Sequence, residues 1–174
     1  AAAAPAPGAP PSGTPPAAIL DESKVAAFKS VAEKEPGNAT PRIELGNLYF
    51  DRKLFDAARN FYRRILDTPE TNLHPYAHYK VAWCYFNESD TASAVAGLER
   101  AVMESRKISQ GTGKKLGVEE EALSDMVLFH AEGGNPQEAK AQFDRLVDKE
   151  KANELRYNLA RKLFDDGKQD RKST

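Results

Sequence analysis

Two histidines, His74 and His78, are four residues apart, a spacing that places both rings on one face of a helix. Zinc sites of the metalloprotease type use this spacing, but they also need a glutamate beside the first histidine and a third ligand. Proline occupies position 75, and the sequence offers no evident third ligand. We therefore expect ordinary surface or capping histidines, no metal site and no other cofactor.

A glycine-rich stretch, Gly111 to Lys115, superficially resembles a phosphate-binding loop. It lacks the first glycine at the required distance, a hydroxyl residue after the lysine and a preceding strand. Three consecutive glutamates at 119–121 suit the first turn of a helix, where negative charge is favourable, better than they suit a catalytic pair. No serine–histidine–aspartate or cysteine–histidine arrangement has a supporting motif. We predict that the chain is not an enzyme.

Two further reactive side chains fit a protein core. Cys84 is the only cysteine and lies in an apolar run, so we expect a small buried apolar residue rather than a reactive thiol. His130 falls at a packing position of its helix, so we expect a buried histidine whose ring nitrogens form hydrogen bonds within the core.

The elements that would position all these residues are helices. Apolar residues recur at helical spacing, and no segment shows sustained period-two alternation, so we expect no sheet. Start signals agree, because Asn135 can cap a helix, Pro136 suits its first turn and Glu138 follows three residues after the cap. The predicted helices are 19–35, 40–51, 54–67, 75–88, 91–106, 119–132, 136–148 and 152–166.

A pattern of bulky, small and aromatic residues recurs three times along these helices. The occurrences are Leu45-Gly46, Tyr49, Ala58, Tyr62 and Ile65; Val81-Ala82, Tyr85, Ala94, Leu98 and Ala101; Met126-Val127, His130, Ala139, Phe143 and Leu146. In each, twelve residues separate the second member of the pair from the following alanine. Each occurrence predicts two short antiparallel helices with close backbones, and such units stack into a solenoid.

In these residues the chain resembles the tetratricopeptide repeat family. The resemblance covers about residues 19–168 and implies an all-α, right-handed solenoid of antiparallel helix pairs, with about three full repeats and a half-repeat at each end. Val127 and His130 depart from the small and aromatic residues usual at their positions. The interval from 82 to 127 exceeds the usual period, and we place the excess at 106–118, as a longer helix ending in a mobile loop. That loop is either a tolerated insertion or a partner contact.

The predicted repeat domain occupies residues 18–168. Residues 1–17 before it are rich in alanine and proline, and proline fixes φ and removes a hydrogen-bond donor, so we expect a disordered linker. We expect residues 169–174 to be a disordered tail.

The resemblance implies that the first helix of each repeat lines a concave binding surface. At those positions the second repeat carries four aromatic residues, including the only tryptophan. Aromatic side chains dominate binding hot spots, so this surface would bind a peptide or a helical segment of a partner protein. Alternatively, neighbouring helices cover the aromatic residues and make them core. The predicted partner-binding residues are Asn47, Phe50, Tyr76, Tyr79, Trp83, Phe86, Asn87, Tyr157 and Arg161.

We interpret the chain as a non-catalytic interaction scaffold with a protein or peptide partner. Its net charge of −1 gives no field that favours nucleic acid, and no apolar run is long enough to span a membrane directly. A narrower similarity, in residues 74–85 and in the linker composition, is to bacterial cell-envelope members of the family. It favours a role in a motility or secretion complex, in the periplasm or associated with the envelope, with the cytoplasm as the alternative.

Two other functions stay open. The chain could self-assemble as a homodimer through an open C-terminal half-repeat, whose apolar side, Leu155, Leu159 and Leu163, lacks a following helix. It could also be the accessory domain of an enzyme whose catalytic part lies outside these residues.

Overall fold

The computed structural model describes residues 20–170, and over these residues the chain is helical with no strand. The prediction of an all-α chain is therefore confirmed for this range. The predicted linker at 1–17 and residues 171–174 of the predicted tail lie outside the described residues. The α-helices are α1 (Glu22–Lys34), α2 (Thr40–Asp51), α3 (Phe55–Arg63), α4 (His74–Asn87), α5 (Thr91–Thr112), α6 (Val118–Gly133), α7 (Pro136–Leu146) and α8 (Lys149–Asp170).

Polar side chains cap the starts of several helices. The Asp21 carboxylate accepts a hydrogen bond from the Lys24 amide at 3.1 Å at the start of α1, and Asp90 accepts one from Ser93 at 3.0 Å at the start of α5. The Asn135 side chain caps α7 as its sequence position predicts. Such caps satisfy amide groups that the first helical turn leaves without a partner.

Two of the turns that connect helices share one backbone geometry. Lys53, between α2 and α3, and Ser89, between α4 and α5, have φ angles of 59° and 63°. The residue after each donates its amide hydrogen back to a tyrosine carbonyl, from Leu54 to Tyr49 at 3.0 Å and from Asp90 to Tyr85 at 2.9 Å. The turn recurs at an interval of 36 residues, the spacing of the first two sequence repeats.

Small residues let the paired helices approach closely. A β-carbon at Gly46 would lie 2.4 Å from the ring of Tyr62, which α3 places against α2. A β-carbon at Gly97 on α5 would lie 2.9 Å from that of Ala82 on α4. Because side-chain atoms do not tolerate such distances, these two contacts need glycine.

Helices from α1 to α6 each pack against the next one in the chain, and α4 also contacts α6. The last helix, α8, packs on both α6 and α7. Leu155 and Leu159 of α8 are buried in the core that these helices share, whereas Leu163 is exposed. The expectation that this apolar side of α8 lies uncovered was therefore wrong for Leu155 and Leu159, because α6 and α7 cover it.

The residues inserted between the second and third sequence repeats lengthen α5. This helix continues to Thr112 and ends at Gly113, which adopts a left-handed conformation with φ of 71°. The Gly113 amide donates to the Ser109 carbonyl at 2.8 Å, a frequent way to end a helix. A short connection, 113–117, then leads into α6. The predicted longer helix is thus confirmed.

Candidate functional site

Two aromatic side chains on α4 share one carboxylate on α6. The Tyr79 hydroxyl donates a hydrogen bond to Asp125 Oδ2 at 2.7 Å, and the Trp83 indole donates to the same oxygen at 3.0 Å. All three residues are partly buried. Because the acceptor is a carboxylate, both hydrogen bonds are of the stronger, charge-assisted kind, and they fix the orientation of both rings.

Trp83 and Phe86 stand at the edge of the core. Phe86 stacks on the fully buried Phe129 of α6, with ring centres 3.9 Å apart and ring planes 5° apart. Trp83 meets Phe129 edge to face, with ring centres 5.0 Å apart. Both α4 side chains are partly exposed, so one side of each ring packs inward and the rest reaches solvent. We call Tyr79, Trp83, Phe86 and Asp125 the α4–α6 surface.

A second group of predicted residues lies between α2 and α4. The Asn47 side chain accepts a hydrogen bond from the Tyr62 hydroxyl at 2.7 Å. Phe50 packs edge to face on Phe55, with ring centres 5.3 Å apart, and the ammonium group of Lys80 lies 4.5 Å from the centre of the Phe50 ring. Asn47 and Phe50 are therefore held by intramolecular contacts and only partly exposed.

Tyr76 and Asn87 lie at opposite ends of α4. Burial raises the pKa of the Tyr76 hydroxyl, and a hydrogen bond with Asn47 partly offsets this rise. Asn87 is exposed, and its side-chain amide donates to the Trp83 carbonyl at 2.8 Å. The residues predicted on α4 thus lie along one helix, beside α2 at its start and beside α6 further on.

Tyr157 and Arg161 lie on α8, which packs on α6 and α7 rather than beside the aromatic residues of α4. Tyr157 is 66% exposed. Arg161 is also exposed, and its guanidinium lies 3.9 Å from the carboxylate of Asp165 one turn further along the helix. These two residues form part of an exposed face of α8.

Asp125 is the functional candidate that sequence reasoning missed. It also lines a cleft of about 590 Å³ between α6 and α8, together with Ser124, Leu128 and Asn158. None of the partner-binding residues predicted from the sequence lies on α6, so Asp125 was passed over. The available signal was an acidic residue one turn after Glu121 in a helix predicted to pack near tyrosine and tryptophan.

Burial suppresses ionisation at the most reactive side chains. It raises the pKa of the Cys84 thiol to about 12, so the thiol stays protonated at neutral pH. Burial, together with the hydrogen bond to Asp125, also raises the pKa of the Tyr79 hydroxyl above its usual value. Cys84 is fully buried, as its sequence context predicts.

The three histidines have separate environments. His74 bonds the Thr68 carbonyl at 3.1 Å, which makes it a loop-fixing residue. Burial lowers the pKa of the His78 imidazole. His130 is buried, and its Nε2 forms a hydrogen bond with the Gln142 side chain at 2.7 Å. Its Nδ1 has no hydrogen-bond partner, so the expectation that both ring nitrogens have partners was wrong for Nδ1. Within residues 20–170, no three histidine, cysteine or acidic side chains form a group able to hold a metal ion.

Residues 76–102, which span α4 and the first half of α5, match the family model described as Tetratricopeptide repeat. This match supports the tetratricopeptide repeat family. Repeats of this family generally mediate protein–protein interactions and are typically not catalytic. No curated protein and no solved structure matches the chain significantly. In the part of the chain that the structure describes, no helix has the length and apolar character needed to cross a membrane.

Proposed function

We propose that this chain is a non-catalytic scaffold that binds a peptide or helical segment of a partner protein through the α4–α6 surface. The observation that carries the proposal is the pair of hydrogen bonds from Tyr79 and Trp83 to Asp125. They fix two large, partly exposed aromatic side chains before any ligand arrives. A fixed surface loses little side-chain entropy on binding, which favours affinity.

The arrangement of helices supports the same use. In the proposed right-handed solenoid of about three full repeats and two half-repeats, α2, α4, α6 and α8 line the concave side. The contacts of α4 with α6 and of α6 with α8 agree with that arrangement. The cleft between α6 and α8 then continues the α4–α6 surface, because Asp125 belongs to both. A segment of several turns could bind along this path.

We place the scaffold in a bacterial envelope complex, for motility or secretion, in the periplasm or at the envelope. The basis is the residue pattern at 74–85 and the alanine- and proline-rich residues at 1–17. A protein partner rather than nucleic acid fits the net charge of −1. Fractionation of the source cells, followed by detection of the full-length protein, tests this placement against the cytoplasm.

Selection of random 16-residue peptides displayed on phage, with the whole chain as bait, tests the binding surface. The blocking variant is Ser124→Tyr, which adds a bulky side chain beside Asp125 at an exposed position and removes no core contact. Ala141→Tyr, at an exposed position of α7, is the matched control. We expect the selected peptides to bind wild type and the control and to lose affinity for Ser124→Tyr.

Failure of the selection, or selected peptides that bind Ser124→Tyr as tightly as wild type, would overturn the proposal. Circular dichroism and thermal unfolding of both variants verify that each is folded. Because the blocking and control variants add the same side chain to exposed helix positions, a difference between them reports the surface and not general stability.

Self-association through α8 is the second candidate function, and the exposed face of α8 favours it. Tyr157 and Phe164 are two turns apart and are 66% and 58% exposed. Apolar side chains exposed on one helix favour a symmetric pair of identical surfaces. Sedimentation over a range of concentrations tests this function, and Tyr157→Ser is expected to weaken any dimer. A monomer at all concentrations would exclude it.

A further inference from the structure

Several carboxylates that form no ion pair lie beside the α4–α6 surface. Asp125 accepts the hydrogen bonds of Tyr79 and Trp83, and Glu121 precedes it by one helical turn on α6. Glu44 approaches Tyr76 from α2, where its charge, like that of Glu121, helps to raise the pKa of the Tyr76 hydroxyl. Carboxylates from two neighbouring helices therefore flank the aromatic residues of α4.

None of Glu44, Glu121 and Asp125 forms an ion pair within the described residues. Lys80, the basic residue of α4, instead lies over the rings of Phe50 and Tyr62, at 4.5 and 5.4 Å from their centres. Lys151 and Lys162 line the cleft that Asp125 also lines, and both pair with other carboxylates. The carboxylates beside the aromatic side chains are therefore left without an ion pair of their own.

Other carboxylates of the chain do form ion pairs between helices. Glu99 on α5 pairs with Arg145 on α7 at 2.7 Å, and Glu88 at the end of α4 pairs with Arg59 on α3. Glu44, Glu121 and Asp125 form no such pair, so a cation supplied by a partner can pair with them.

We infer that the segment bound at the α4–α6 surface is basic and amphipathic, and that its arginine or lysine side chains contact Tyr79 and Trp83 while pairing with Asp125 and Glu121. This inference rests on the proposed function and adds the chemistry of the partner. A cation beside an aromatic ring and a carboxylate gains from both, and a guanidinium can stack and donate two hydrogen bonds at once. An acidic segment would be repelled.

The same arrangement exists inside the chain. The Arg59 guanidinium lies over the ring of Tyr85, 4.5 Å from its centre, and pairs with Glu88. Tyrosine and glutamate from one helix thus bind an arginine from another. The α4–α6 surface presents aromatic rings and carboxylates in a similar combination, and partly exposed Phe86 and Leu128 nearby offer contact to the apolar residues of an amphipathic segment.

The test uses the peptides selected on the whole chain, as described above, and the double variant E121Q/D125N. Asparagine at 125 keeps an oxygen that can accept from Tyr79 and Trp83 while the charge is removed. The control is E33Q/E150Q, which removes two charges from exposed positions of α1 and α8. Affinities are measured by titration calorimetry at two salt concentrations.

We expect an excess of arginine and lysine in the selected peptides. Their binding to E121Q/D125N should weaken by roughly tenfold or more, with little change for E33Q/E150Q, and raised salt should weaken binding to wild type. The charge inference is refuted if peptides that lose affinity for Ser124→Tyr show no excess of arginine and lysine, or if they bind E121Q/D125N as tightly as wild type. Either result leaves the scaffold proposal standing. If no selected peptide loses affinity for the Ser124→Tyr variant, both the scaffold proposal and the charge inference fail.

Discussion

Replacing Asp125 with alanine isolates the interaction that organises the α4–α6 surface. The substitution removes the acceptor of two donors, the Tyr79 hydroxyl at 2.7 Å and the Trp83 indole at 3.0 Å. Hydrogen bonds to charged groups contribute about 1.5–3 kcal/mol each when buried. All three residues are only partly buried, so water replaces part of what is lost. We therefore expect D125A to lower the free energy of unfolding by about 1–3 kcal/mol in total.

The matched variant D125N keeps a neutral acceptor and should cost less than D125A, because hydrogen bonds between neutral groups contribute about half as much. A double-mutant cycle with Tyr79→Phe then separates the contribution of the tyrosine. If Tyr79 and Asp125 interact as the structure indicates, the cycle gives a coupling of about 1 kcal/mol.

Urea unfolding provides the assay. Circular dichroism follows all helices, while the fluorescence of Trp83, the only tryptophan, follows the contact between α4 and α6. Repeat arrays can unfold in parts, so the two signals are fitted separately. The reasoning is refuted if D125A unfolds at the same urea concentration as wild type by both signals, or if the cycle shows no coupling.

Three other substitutions or treatments have definite expected outcomes. Gly46→Ala should destabilise the chain by roughly 1–3 kcal/mol because the added carbon would lie 2.4 Å from the Tyr62 ring, and an unchanged urea midpoint would count against that contact. Gly111→Ala, in α5 with open space around it, should instead stabilise by roughly 0.5–1 kcal/mol, since alanine favours helix. Cys84 should resist a thiol reagent at pH 8 in native buffer and react in denaturant, because burial raises its pKa to about 12; rapid native labelling would contradict this.

Local sequence signals were sufficient to place the helices in order, although α5 and α8 extend beyond the predicted 91–106 and 152–166. Capping residues such as Asn135 and prolines in first turns act within a few residues of where they stand, so their effect can be read without the fold. The turns at Lys53 and Ser89 were less accessible. Neither residue is glycine or asparagine, the usual signals for a positive φ, and the surrounding helix packing imposes the conformation.

The candidate site required contacts between separate helices. Whether Trp83 lies in a groove or in the core depends on how closely α6 approaches α4, and helical spacing within α4 says nothing about that distance. The structure gives an intermediate answer, since Trp83 packs on Phe129 yet stays partly exposed. Asp125 was missed for the same reason, because its role depends on the rotation of α6 against α4.

The last helix has two unlike halves. Its first half buries Ala152, Leu155 and Leu159 in the core shared with α6 and α7, whereas no residue from 160 to 167 is buried. Backbone amides of the first half can meet solvent only when that core opens, while those of the second half need only local fraying. One continuous helix should therefore exchange its amide hydrogens on two timescales, slow before Leu159 and fast beyond it.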